Sequence, residues 1–187
     1  MSLRNFVRNQ KFAAGSIIIP WVSMVIFMAS GSLLLLDYVH VLTGAIWTGT
    51  DVFLGLILSR VIKTLDSETK YDVSQRILPM TLYFIPSVSI LTPLAGLILE
   101  IRENAFNGFS PTFVILLFLI AIVIILISFL LILPTSLKIY RLNPSKEINE
   151  ETYVRVSLLM KRLTLSGALQ LLFQVIIIGF MAVLVVH

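Results

Sequence analysis

The sequence predicts an all-α integral membrane bundle of five transmembrane helices, a four-helix core with one added N-terminal helix. Three observations predict it. Hydrophobic residues make up 58% of the 187 positions and charged residues only 13%, and the mean hydropathy is +1.00, so there is too little polar surface to cover a soluble globule. The apolar residues fall in runs of about 20, the length that crosses a hydrocarbon core as helix. Finally, the basic residues alternate between the segments that join those runs, as a membrane topology requires. Nearly all of the chain is consumed by the runs, which makes 1–187 a single transmembrane bundle.

The first span covers about 12–31, interrupted by Pro20, and Ser30-Gly31-Ser32 is a turn. Its basic start, MSLRNFVRNQKF, leads into an apolar run without a small-residue cleavage site and reads as a retained helix rather than a signal peptide. The second span, about 33–60, ends in Arg60–Lys63, and TLDSETKYD reads as a solvated loop over 64–72. The third, about 77–99, carries Pro79, Pro86 and Pro93 at seven-residue intervals, which should kink it and open space beside the second. Ser87, Ser89 and Thr92 are placed to satisfy the freed carbonyls. The fourth, about 112–133, has Ser128 as its one polar residue after the opening threonine and reads as mostly lipid-facing. NPSKEINEETYVRV then forms a loop and a short amphipathic lead into the last span, about 163–186.

With the N-terminus in the cytoplasm and the C-terminus outside, the cytoplasmic segments hold every one of the 14 basic residues except Arg102. That is the positive-inside pattern of a multi-pass plasma-membrane protein. A four-span alternative, with 12–31 lying on the surface, would strand Arg4, Arg8 and Lys11 outside. The net charge of +4 is thus a matter of topology and does not point to nucleic acid. The absence of cysteine excludes disulfides, iron–sulfur clusters and thiol chemistry. Together with the isoleucine content it suits an archaeal or thermophilic source. The partners expected are the lipid bilayer and either other membrane subunits or a second copy of the chain.

The second span is the unusual one. LLLLDYVHVLTGAIWTGTDVFLGLILSR carries Asp37, His40 and Asp51 through a region that hydrocarbon penalises for charge. His40, Thr43, Gly44, Trp47 and Asp51 share one helical face. His40 lies near the outer end, and Asp51 is roughly 16 Å further along the axis, well inside the membrane. Counted from the cytoplasmic ends, Asp51 and Gln170 have similar depth, as do Thr48 and Gln174, which predicts a polar seam between the second and fifth spans. His40 is open to two readings: an interfacial hydrogen bond to Asp37, one turn away, or ligation of a metal, foremost haem iron, between helices. For a second axial ligand the choices are His187, Met28 and Met181. The pair Met24-x-x-x-Met28 hints at copper as an alternative, although methionines at this spacing commonly just pack.

The pattern His40-x-x-x-Gly44-x-x-Trp47-x-Gly49, within LDYVHVLTGAIWTGTDVFLG, resembles the leading helix of a broad group of small membrane proteins. That group includes an uncharacterised family of integral membrane proteins, the membrane domain of urate-oxidising cytochrome-linked enzymes, copper-resistance D proteins and the small membrane protoporphyrinogen oxidases. Pro93-Leu94-Ala95-Gly96-Leu97 is more loosely similar to a T-G-L-type motif on the following helix. The resemblance implies a four-helix core that binds haem b through His40, with Gly44 and Trp47 beside the macrocycle and residues 1–32 as the added helix. The second basic motif of the oxidases and a cytochrome c domain have no counterpart here. The leading expectation is therefore a cytochrome b-like electron-transport protein or respiratory-chain subunit, not an enzyme on its own. The rivals are a proton- or cation-coupled transporter or channel working through Asp51, and a non-catalytic structural subunit of a membrane complex.

Overall fold

The computed structural model describes residues 3–142 and 150–186, with the side chains of 3–13, 16, 67, 75, 78–81, 105 and 185 outside the description. The described residues form an all-helical bundle in which α1 is Leu3–Ser30. It is followed by α2, Leu33–Thr64, α3, Ser67–Thr81, and α4, Phe84–Glu103. The bundle closes with α5, Pro111–Arg141, and α6, Glu150–Val186. Four of them, α2, α4, α5 and α6, are long and apolar enough to cross a membrane, and many of their leucines, isoleucines and valines face outward in a lipid-facing belt. The described apolar part of α1, Ile17–Ser30, is shorter than a full crossing, so among the described residues four helices reach membrane-crossing length, and the expected fifth span falls on α1.

Local chemistry sets the ends of the elements. Gly31 adopts φ +72, a left-handed turn that glycine enters without strain, and reverses the chain after α1. Ser32 then caps α2, its hydroxyl accepting from the Leu35 N–H at 3.4 Å. Ser110 caps α5 in the same way, ahead of Pro111 in the first turn.

Two expectations need correction. The expected loop over 64–72 shrinks to Leu65–Asp66, because Asp66 caps α3 by accepting from the Thr69 N–H at 3.1 Å. Hydrogen bonding from Thr69, by its side chain first and then by its N–H, holds the Asp66 carboxyl below the usual carboxylate range. The expected third span over 77–99 is two helices, broken at Leu82–Tyr83, and the membrane-crossing part is Phe84–Glu103. Pro86 supplies the reason. It has no N–H for the Leu82 carbonyl, and its ring clashes with that carbonyl in a continuous helix. Pro93, by contrast, sits inside α4.

The core is stacked in three layers. At the end away from most of the basic residues, the outer end of the expected topology, Met24, Leu36, Val39, Leu91, Ala95 and Leu99 join α1, α2 and α4, with Trp21 Nε1 donating to Ser87 Oγ at 2.8 Å. In the middle, Trp47 packs with Ile85, Val88, Ile124, Ile127 and Ile132. At the basic end, Tyr71, Ile139 and Val156 join α3, α5 and α6. There the Tyr71 hydroxyl donates to the Leu142 carbonyl at 2.8 Å, and its ring meets Tyr153 edge-on. Burial, with Asp72 and Tyr153 nearby, pushes the Tyr71 phenol up.

Candidate functional site

The site begins at Asp51. Its position on α2 turns it inward, and the side chain is only 4% exposed. Gln170 and Gln174, one turn apart on α6, both donate to Asp51 Oδ2, at 2.8 and 2.9 Å. Ser128 on α5 donates to Gln170 Oε1 at 2.8 Å, so three helices close one polar network in the bundle interior. Buried carboxylates persist only where such donors surround them. Thr48, expected in this seam, is half-buried and joins none of these bonds. Ser128 is the member that the sequence does not single out, since its span reads as mostly lipid-facing; only the rotation of α5, which composition does not reveal, turns it inward.

Two irregular stretches flank the network. Right after Asp51, α2 widens into a π-helix over Phe53–Leu58, and α5 does the same over Ser128–Ile132. Wide turns of this kind loosen the backbone ladder and gather at functional sites. Two buried polar atoms in the same region have no partner: Trp47 Nε1, on the turn before Asp51, and Gln174 Oε1. Native interiors rarely leave such groups unpaired.

From Asp51 a cavity of about 370 Å³ runs to the basic end of the bundle. Leu58, Ile62, Ile85 and Ile132 are among its walls; Lys63, Lys70 and Lys161, from α2, α3 and α6, also line it. Among the described residues Asp51 is its only acidic lining residue. Because both glutamines bind Oδ2, Oδ1 takes no part in these two bonds, and Asp51 itself lines the cavity.

The outer half of the bundle is packed differently. His40 Nδ1 lies 2.8 Å from the Thr92 carbonyl oxygen. A carbonyl only accepts, so Nδ1 carries the proton and donates. Thr92 Oγ1 donates to Thr43 Oγ1 at 3.0 Å, and Thr43 itself donates to the Val39 carbonyl at 2.7 Å. Of the nine glycines, Gly44 and Gly96 alone have a neighbour where a Cβ would stand. At Gly44 it is the Thr92 methyl at 3.3 Å, and at Gly96 it is the His40 ring, with Cε1 at 2.5 Å. Small residues have brought α2 and α4 into contact through the outer half, as they do between membrane helices.

This packing bears on the expected haem. Nδ1–H bound to a carbonyl leaves the Nε2 lone pair for a metal, the usual arrangement of a ligating histidine. A macrocycle, however, needs a gap at the ring, and the gap expected from kinking at Pro86 and Pro93 is closed by the approach of α4 at Thr92 and Gly96. Met28 is 37% exposed at the end of α1, and its carbonyl accepts from Arg102. Met181 is half-buried, and His187 lies outside the described residues. Among the described residues no three His, Asp or Glu side chains gather as a metal site. As packed, α2 and α4 leave no gap for a macrocycle at the His40 ring, and Met24 is packed in the outer core layer. The Asp37–His40 bond, the other expectation, is replaced by the bond to Thr92. Asp37 is half-buried one turn closer to the outer end.

Comparison with protein-family models, with curated proteins and with solved structures finds no match. The functional argument therefore rests on the site itself.

Proposed function

We propose that this chain is a proton-translocating membrane protein, a transporter or channel of the plasma membrane, with Asp51 as its proton-carrying group. With α1 taken as the fifth crossing, the N-terminus is cytoplasmic and the C-terminus outside, so the cavity opens to the cytoplasm; the charge asymmetry of the segments supports this orientation. One observation carries the reading. A buried carboxyl bound by both glutamines through one oxygen meets a cavity that reaches a single end of the bundle, while the opposite half is closed by the packing of α2 on α4. A group in mid-membrane reached from one side at a time is what alternating access requires.

The surroundings support it in three ways. The π-segments place loosened backbone on both sides of the network, where α2 and α5 would bend. The unpaired Trp47 N–H and Gln174 oxygen offer a donor and an acceptor for a water that would extend the network beyond Asp51. Above them, the Thr43–Thr92 pair and His40 continue the polar line toward the outer end. The ion is a proton rather than a metal cation because three lysines at the mouth raise the local potential against any cation that must diffuse in. A proton needs no such entry, since it passes between water and hydrogen-bonding groups.

The test is voltage-driven proton flux into vesicles holding a pH dye. The wild type should exceed empty vesicles, Asp51→Asn should fall to the empty-vesicle rate, and His40→Ala should keep part of the flux. An Asp51→Asn protein that conducts like the wild type would refute the reading, as would a wild type no faster than empty vesicles.

A further inference from the structure

The mouth of the cavity has a chemistry that the proton does not explain. We propose that the cavity binds an amphiphilic organic anion, its charged end held by Lys63, Lys70 and Lys161 and its apolar chain lying along the walls toward Asp51. The inference deepens the reading above, since it takes this cavity as the functional centre and names what enters it.

Four observations carry it. First, positive-inside charge explains why lysines sit at this end of the bundle, but not why three of them, from three helices, line one cavity whose described lining has no acidic side chain besides Asp51. Ammonium groups gathered without a counter-charge repel one another, and an anion among them removes that repulsion. Lysine binds phosphate and carboxylate as a point charge and places no demand on their shape. Second, the polar and apolar parts of the cavity are separated along its length. Lys63 is twelve residues beyond Asp51 on α2, roughly 18 Å along the axis, and Leu58, Ile85 and Ile132 are among the walls. A ligand that satisfies both ends of that gradient has a charged head and an apolar body. Third, the volume of about 370 Å³ lies in the range of small-ligand sites. Fourth, Ser136 also lines the cavity, and a serine hydroxyl there can donate to an oxygen of an ester or acid group. Among the described residues no aromatic side chain lines the cavity for stacking a base or sugar, and no arginine offers a bidentate fork.

The head can be a carboxylate, as in a fatty acid, or a phosphate, as in a lipid or prenyl phosphate. The experiment separates them. The full-length protein is placed in phosphatidylcholine nanodiscs and titrated with a dansyl-labelled undecanoate, with empty discs as the reference. Saturable binding of one probe per chain is expected. Laurate and dodecyl phosphate should both displace it, the stronger competitor identifying the preferred head, while dodecanol should not. Raising the salt from 50 to 500 mM should weaken binding several-fold, a test that needs no mutation. The triple variant Lys63→Gln, Lys70→Gln, Lys161→Gln should bind at least tenfold more weakly. Ile85→Trp, which fills the cavity, should abolish binding while helicity is retained. Asp51→Asn should still bind, so loss of proton flux and loss of ligand binding are separable results. Displacement by dodecanol equal to that by laurate, salt-independent binding, or wild-type affinity in the triple variant would each overturn the proposal.

Discussion

Replacing Gly96 with alanine would put a methyl group 2.5 Å from His40 Cε1, 2.8 Å from Nδ1 and 3.2 Å from Nε2. The ring cannot simply swing aside, because its Nδ1–H is bound to the Thr92 carbonyl 2.8 Å away. The variant must either spread α2 from α4 or give up that bond. Overpacking of a close contact costs about 1–3 kcal/mol, and a lost hydrogen bond adds about 0.5–1.5 kcal/mol. Together they give a destabilisation of about 2–4 kcal/mol. At a few degrees per kcal/mol for a chain of this size, the thermal midpoint should fall by about 5–12 °C. The measurement is loss of helical circular dichroism on heating in detergent, for Gly96→Ala, His40→Ala and the pair. Truncating His40 makes room for the methyl, so the double variant should be more stable than the sum of the single losses by about 1–3 kcal/mol. Gly44→Ala is an internal control. Its methyl meets only the Thr92 methyl, at 3.3 Å, and the loss should stay within about 1 kcal/mol. Additive losses, or a neutral Gly96→Ala, would show that the ring is not clamped between α2 and α4.

Two further outcomes follow from the site and from the orientation. The purified protein should show no Soret absorption after expression with added haem precursor; a Soret band lost in His40→Ala would restore the haem reading and require α2 and α4 to part around the ring. Single cysteines in this Cys-free chain should react with an impermeant reagent from outside at Asn104 but not at Ser67 or Ser145, and labelling of Ser67 in sealed cells would invert the proposed orientation.

How much of this was legible in the sequence depends on which coordinate was needed. Depth was accessible. Counting 1.5 Å per residue from the charged ends put Asp51 level with Gln170, and the two do bond. Rotation was not. Thr48 and Ser128 have depths as suitable as those of their neighbours, yet Thr48 stays out of the network while Ser128 enters it. A helix as uniformly apolar as α5 offers no polar face from which to read its orientation. The prolines misled for a related reason. Their spacing implied one bent helix, but Pro86 acts on the Leu82 carbonyl strongly enough to end α3 and start α4 anew. The resulting α4 meets α2 through glycine and threonine rather than leaving a gap. His40 was recognisable as a residue in need of a partner. That the partner is a backbone carbonyl 52 residues away could not be read from side-chain chemistry at all. The lysines of the cavity mouth were accounted for as topology, and only the convergence of α2, α3 and α6 gives them a second meaning.

If Asp51 alternates between the two sides of the membrane, the α2–α4 contact is the part that must open, and that step can be tested directly. The would-be Cβ of Gly44 lies 3.3 Å from Thr92 Cγ2, an atom one bond beyond the Thr92 Cβ, so the two Cβ atoms are within about 5 Å, near the roughly 3.5–4.5 Å span of a disulfide. Gly44→Cys with Thr92→Cys therefore introduces two thiols into a chain that has no others, so any bridge within one chain joins these two positions. Oxidation should fix the outer half in its closed form and reduce proton flux to that of empty vesicles. A reductant should restore the flux in the same vesicles, which separates the lock from the loss of the Thr43–Thr92 hydrogen bond, since that bond is missing in both states. The hinge needed for such opening is already supplied at the π-turns of α2 and α5 and at the break between α3 and α4. All three lie toward the basic end from the contact, so the outer segments of α2 and α4 can move as stiff arms. Full flux with the disulfide formed would mean that protons reach Asp51 without parting these helices, and the protein would then be a channel through a fixed bundle rather than a transporter that alternates.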